Sequence, residues 1–175
     1  MAKSQFKYVE MPQPLGLFAG ELFARGMEYL EAFEELTKGK NEKFLHASYF
    51  LFAHSLELLL KSFLTVHGFK KTDIRSRPLR HNLPEIMRQC ELKSIPNVPN
   101  LSAYVLHTFE MNRDLDFRYP SGYRLSMPRP DECALVARAL IIAIEPIVSR
   151  AAIKAQLQFA SETRQHRGKK IRWSD

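Results

Sequence analysis

The sequence predicts an all-α protein, an antiparallel bundle of about five helices. Two observations predict it. Apolar residues recur at spacings of three and four through most of the chain, the period of one helix face. Alternating apolar and polar runs of strand type are absent, and no internal repeat is evident. With 175 residues, 45% of them apolar and 26% charged, the chain can bury a substantial core.

The first helix is read from about Gly16 to Thr37. Leu22, Phe23, Met27, Leu30, Phe33 and Leu36 form its apolar face, and Glu21, Glu28, Glu31, Glu34 and Glu35 its wet face. Gly39 stops it. The second helix, about Asn41 to His67, is apolar nearly all round, as expected for the middle of a bundle. Its few polar residues are therefore informative. Glu57 and Lys61 stand four apart in the favourable acid-before-base order, and His46 and His54 lie eight apart on roughly one face. Gly68 ends this helix.

Lys70 to Arg80 reads as a basic loop. Asn82 then caps a short third helix ending near Lys93, with Glu85 at capping-box spacing. A proline-bounded linker, residues 94–100, leads to a fourth helix from about Asn100 to Met111. Leu101, Tyr104, Val105 and Phe109 face inward on it. Residues 112–130 form a long loop without period, a length often associated with function. The last helix begins after Pro130, with Asp131 and Glu132 favourable at its start, and runs to about Ala160. Pro146 is expected to kink or break it. Residues 1–160 are read as one domain, 1–15 being an N-terminal extension, and 161–175 as a basic tail.

The net charge of +7 is uneven. The tail holds five Lys/Arg and two acids, leaving 21 basic and 17 acidic residues in the body. A uniform nucleic-acid-binding surface does not follow. The tail could touch RNA phosphates, with Trp173 stacking on a base, or could simply be solvated. Cys90 and Cys133 have neither metal-ligand spacing nor the makings of a disulfide framework, which fits a reducing compartment. No apolar run long enough for a spanning helix is read, and the N-terminus lacks a signal peptide's apolar core. The expected location is the cytoplasm, with no membrane association. Phosphate-loop, dinucleotide, nucleophile-elbow and zinc-protease motifs are absent, and no cofactor or metal is expected.

Several features then fall in a familiar order. Glu57-x3-Lys61 lies inside an apolar helix, His81-Asn82-Leu83 precedes a short helix, Arg118-Tyr119-Pro120 follows, and an amphipathic helix opens at Pro130. Over roughly residues 17–160 this resembles the HEPN (higher eukaryotes and prokaryotes nucleotide-binding) domain. The resemblance implies an antiparallel helical bundle that forms homodimers. It also implies association with a nucleotide, RNA, or a nucleotidyltransferase-type or antitoxin partner on a separate chain, often in toxin–antitoxin systems.

One branch of that family cleaves RNA without metal, through an arginine, a polar residue and a histidine four to six positions after the arginine. Histidine can move the 2′-hydroxyl proton near neutral pH, and arginine can hold the phosphate. Two placements exist here. Arg113-Asp114 begins the motif after the fourth helix, but Arg118 and Tyr119 stand where the histidine belongs, so this site suits phosphate binding rather than cleavage. Arg75-x5-His81 has an allowed spacing in a loop. The leading expectation is a binding module with a degenerate ribonuclease motif, using Arg80, His81, Arg113, Asp114, Arg118 and Tyr119 for nucleotide or RNA. Its alternatives are a toxin-like ribonuclease with catalytic His81, Arg75 and Arg77, and a non-catalytic antitoxin or structural subunit. Blander roles stand beside these. Glu57–Lys61 could be a structural pair, His81 a loop hydrogen-bonding group, and Arg118-Tyr119 an anchor for the long loop.

Overall fold

The computed structural model describes residues 8–40, 42–113, 116, 117, 119, 126–166 and 169–174. Among them are six α-helices: α1 (Leu15–Thr37), α2 (Leu45–Val66), α3 (Lys71–Arg75), α4 (Leu83–Leu92), α5 (Leu101–Met111) and α6 (Pro130–Glu162). The protein is an all-α bundle.

Helix α2 is its axis. It packs on α1, α6, α4 and α5, and nearly every side chain from Leu56 to Thr65 is buried. By length and composition α2 could cross a membrane, but 78% of its most apolar window is buried against the other helices. The all-round apolar pattern is thus consumed within one chain.

Helix α1 lies between α2 and α6, which explains why its buried set extends past the apolar face to Ala19 and Gly26. Phe33 meets Tyr49 and Phe52 with ring centroids 5.6 and 5.1 Å apart, while Gly26, seven residues earlier, accepts a 2.7 Å hydrogen bond from the later Ser55 hydroxyl. The two helices therefore run antiparallel. So do α1 and α6. Gly16 abuts Ala151, whereas Glu34 receives both Arg138 Nε at 2.9 Å and Nη2 at 2.5 Å.

Gly39 stops α1 at φ 72°, a left-handed conformation that costs glycine little. Asn82 caps α4, its Oδ1 accepting from the Glu85 backbone N–H at 3.3 Å. The capping box is only half made, because the Glu85 carboxylate turns to Arg88 and Gln89 instead.

Four expectations are corrected. The basic loop contains a helical turn, α3, held on the bundle by the buried Ile74. Strands do form: β1 (Tyr8–Pro12) pairs in parallel with β2 (Lys170–Ser174), Tyr8 opposite Lys170 and Met11 opposite Trp173. Each is five residues long and half-exposed, too short to show against a helical background. Trp173 rests on Phe159 with ring centroids 5.1 Å apart, so this part of the tail is docked. Finally, α6 is not broken at Pro146 but continues through it. Proline removes one donor to the carbonyl of Ile142, but both residues are on the exposed face, where the loss leaves no buried carbonyl without a partner.

Candidate functional site

The polar residues of α2 gather on one buried carboxylate. Glu57 Oε1 accepts from Lys61 Nζ at 2.7 Å, and Glu57 Oε2 pairs with His81 Nδ1 at 3.0 Å. His54 Nδ1 is 3.9 Å from the same Oε2, an ion-pair rather than a hydrogen-bond distance. Glu57 and Lys61 are each only 6% exposed. Burial pushes the Glu57 carboxyl up, but His54, Lys61 and His81 outweigh it and hold it at about 2. An ionised carboxylate only accepts, so His81 must carry its proton on Nδ1. Its Nε2 is then the ring nitrogen not engaged by Glu57, an acceptor on the neutral ring and a donor on the protonated one, the arrangement of a histidine oriented for proton transfer or phosphate contact.

Local backbone makes this possible. His81 sits just before the Asn82 cap at φ 60°, a region that non-glycine residues enter rarely, histidine among the more tolerant. Leu83, two residues on, is buried, which pins the loop to α2. The side chain of His81 remains half-exposed.

Two cavities meet at Glu57 and His81. One, of about 120 Å³, lies between α2 and α5 and is lined also by His54, Thr108, Asn112 and Arg113. The other, about 490 Å³, is bordered by Arg25, Lys61, Arg75 and Arg80. Among the described residues lining the pair, Glu57 is the only carboxylate. Arg113 is placed by the loop after α5, where Asn112 Oδ1 accepts from Phe117 N–H at 3.2 Å and Phe117 is buried in the core.

The sequence-predicted residues divide accordingly. His81 and Arg113, from two separate motif placements, line the same cavity, and Arg75 and Arg80 join His81 at the other. Arg77 is exposed and lines neither. Tyr119 is 63% exposed and lines neither. Asp114 and Arg118 lie outside the described residues. His46 is exposed on α2, while His54 packs beside Tyr29 with ring centroids 4.9 Å apart. Sequence reasoning missed Arg25, Thr108 and Asn112. Only helix facing could have found them: Thr108 on α5 and Asn112 at its C-cap are one turn apart, and Arg25 lies on α1, which packs on α2. No group of three or more metal-ligating side chains is found among the described residues.

No protein-family model, curated protein or solved structure matches the chain.

Proposed function

We propose that this chain is an HEPN-like helical module that binds the phosphate of a nucleotide or an RNA at the His81 end of the bundle, in the cytoplasm and as a homodimer. The observation that carries this reading is the charge balance around His81. Arg25, Lys61, Arg80 and Arg113 line the two cavities, and among the described lining residues the one carboxylate is Glu57, which Lys61 already pairs with. Such a concentration of cations attracts a polyanion, and guanidinium groups bind phosphate oxygens bidentately.

The dimer rests on α6. Leu135, Ile142, Ile153 and Leu157 follow one face of this helix and are 58–72% exposed. The exposed acids Asp131 and Glu132 open the helix, and the exposed Arg150 and Lys154 lie beyond its midpoint. A second copy packed antiparallel buries the stripe and sets acid beside base.

The ribonuclease reading is favoured by one geometric feature. The histidine missing from the Arg113 placement is supplied by His81 from another loop. In that reaction His81 Nε2 takes the 2′-hydroxyl proton as O2′ bonds to phosphorus. The P–O5′ bond breaks, and O5′ is protonated by water, whose hydroxide then takes the proton held by His81. Arg113 stabilises the added charge on phosphate.

A labelled single-stranded RNA, titrated with protein in the presence of chelator and then run on a gel, tests both. Binding that falls about tenfold in Arg113→Ala, with intact RNA, supports the binding module. Cleavage that survives chelator and disappears in His81→Ala supports the ribonuclease. Wild-type protein that neither binds nor cleaves RNA, and binds no nucleotide, refutes the reading. A monomeric mass at micromolar concentration refutes the dimer.

A further inference from the structure

We infer that the cavity between α2 and α5 is a pocket for one unstacked nucleobase, whose phosphate lies at His81 and Arg113. This inference rests on the phosphate-binding reading above and names the part of the ligand that reading leaves open.

The decisive residue is Thr108. It is fully buried, it lines the cavity, and its hydroxyl has no hydrogen-bond partner. Helical threonines usually return the hydroxyl to the carbonyl one turn back. In this chain Thr37 does so to Phe33 at 2.8 Å, Thr65 to Lys61 at 2.9 Å and Thr163 to Phe159 at 2.7 Å. Thr108 does not. A buried hydroxyl without a partner is unfavourable by about 1–3 kcal/mol, so native structures rarely keep one unless something else satisfies it.

The rest of the lining defines what that something is. Asn112, the C-cap of α5, uses its Oδ1 on the Phe117 N–H and leaves its NH₂ donors unused among the described residues. Thr108 and Asn112 thus offer one hydroxyl and one amide along a single helix face. Phe50 and Phe109 supply apolar aromatic walls. A ligand that is flat, apolar on its faces and hydrogen-bonding at its edge fits this lining, and His81 and Arg113 at the same cavity provide for an attached anion. A nucleotide has that composition. The volume of about 120 Å³ holds the equivalent of about four waters, room for one base but not for a stacked pair. The base must therefore come from a free nucleotide or from a single strand, where bases can be splayed out and held against aromatic rings.

Calorimetric titration of the full chain with ribose 5-phosphate and with each of the four nucleoside 5′-monophosphates separates base from phosphate. At least one nucleotide is expected to bind about tenfold more tightly than ribose 5-phosphate. Thr108→Val should abolish that advantage while leaving ribose 5-phosphate affinity unchanged, and Thr108→Ser should retain it. Thr108→Val removes an unpaired buried hydroxyl, so its melting temperature should not fall, and lost binding cannot be ascribed to unfolding. Ribose 5-phosphate binding as tightly as every nucleotide overturns the base pocket and leaves the phosphate site standing. An unaltered nucleotide advantage in Thr108→Val also overturns it. Failure of all five probes to bind refutes the phosphate site and the pocket together. Displacement of a bound nucleotide by single-stranded RNA assigns the base to a strand, and no displacement assigns it to a free nucleotide.

Discussion

Nδ1 of His81 lies 3.0 Å from Oε2 of Glu57, joining a half-exposed loop residue to a buried helical carboxylate 24 positions earlier. The contact has two consequences. It anchors the loop that opens α4 to the central helix, and it fixes which ring nitrogen of His81 is free. Fold and candidate chemistry therefore share one carboxylate.

That carboxylate should govern acid stability. In the folded chain Glu57 titrates at about 2, against 4.5 for a free glutamate. A folded value below the unfolded one stabilises the protein fully above about 4.5, and this contribution disappears as pH falls toward 2. It amounts to about 3 kcal/mol at neutral pH. Urea unfolding of Glu57→Gln from pH 7 to pH 2 should show a lower stability at pH 7 and a shallower decline below 4.5 than the wild type. Glu85, also held at about 2 by its hydrogen bonds to Arg88 and Gln89, supplies part of the slope that remains. Parallel curves for the two proteins would remove Glu57 from the acid transition.

The backbone of His81 makes a separate prediction. At φ 60° a residue with a Cβ is strained by about 1–2 kcal/mol, and glycine is not. His81→Ala and His81→Gly both lose the Glu57 contact, so the difference between them isolates the backbone. The glycine variant should be the more stable by about 1 kcal/mol in denaturant midpoint. Alanine equal to or above glycine would mean that the loop relaxes out of this conformation in solution.

Much of this was legible in the sequence, and the reasons are physical. Helix periodicity located α1, α2, α4, α5 and α6 because each buries one face or, for α2, nearly its whole circumference. The Glu57–Lys61 pair stood out because ionisable residues rarely enter an apolar helix without a partner. What remained hidden depends on long-range contact. The five-residue strands β1 and β2 pair across nearly the whole length of the sequence. The short α3 is held by one side chain, Ile74. The meeting of His81 with Arg113 joins two loops that no spacing rule connects. Thr108 reads as an ordinary position of an amphipathic helix, and only its missing hydrogen bond singles it out.

The seam between α1 and α2 offers a last test, independent of ligand. A Cβ added at Gly26 would lie 2.9 Å from Leu59 Cγ and 3.3 Å from the Leu59 backbone nitrogen, and Leu59 is fully buried. Replacing glycine by alanine within a helix ordinarily stabilises by about 1 kcal/mol. Here the added methyl forces α1 away from α2 and strains the 2.7 Å hydrogen bond from Ser55 Oγ to the Gly26 carbonyl. Overpacking of that kind is unfavourable by about 1–3 kcal/mol, so the sign should reverse and Gly26→Ala should destabilise. On a Leu59→Ala background the space beneath Gly26 is open, and the same substitution should become neutral or stabilising. A double-mutant cycle measured by urea unfolding reads this as a coupling of more than about 1 kcal/mol. Additive effects would show that α1 and α2 approach less closely at Gly26 than the structure places them.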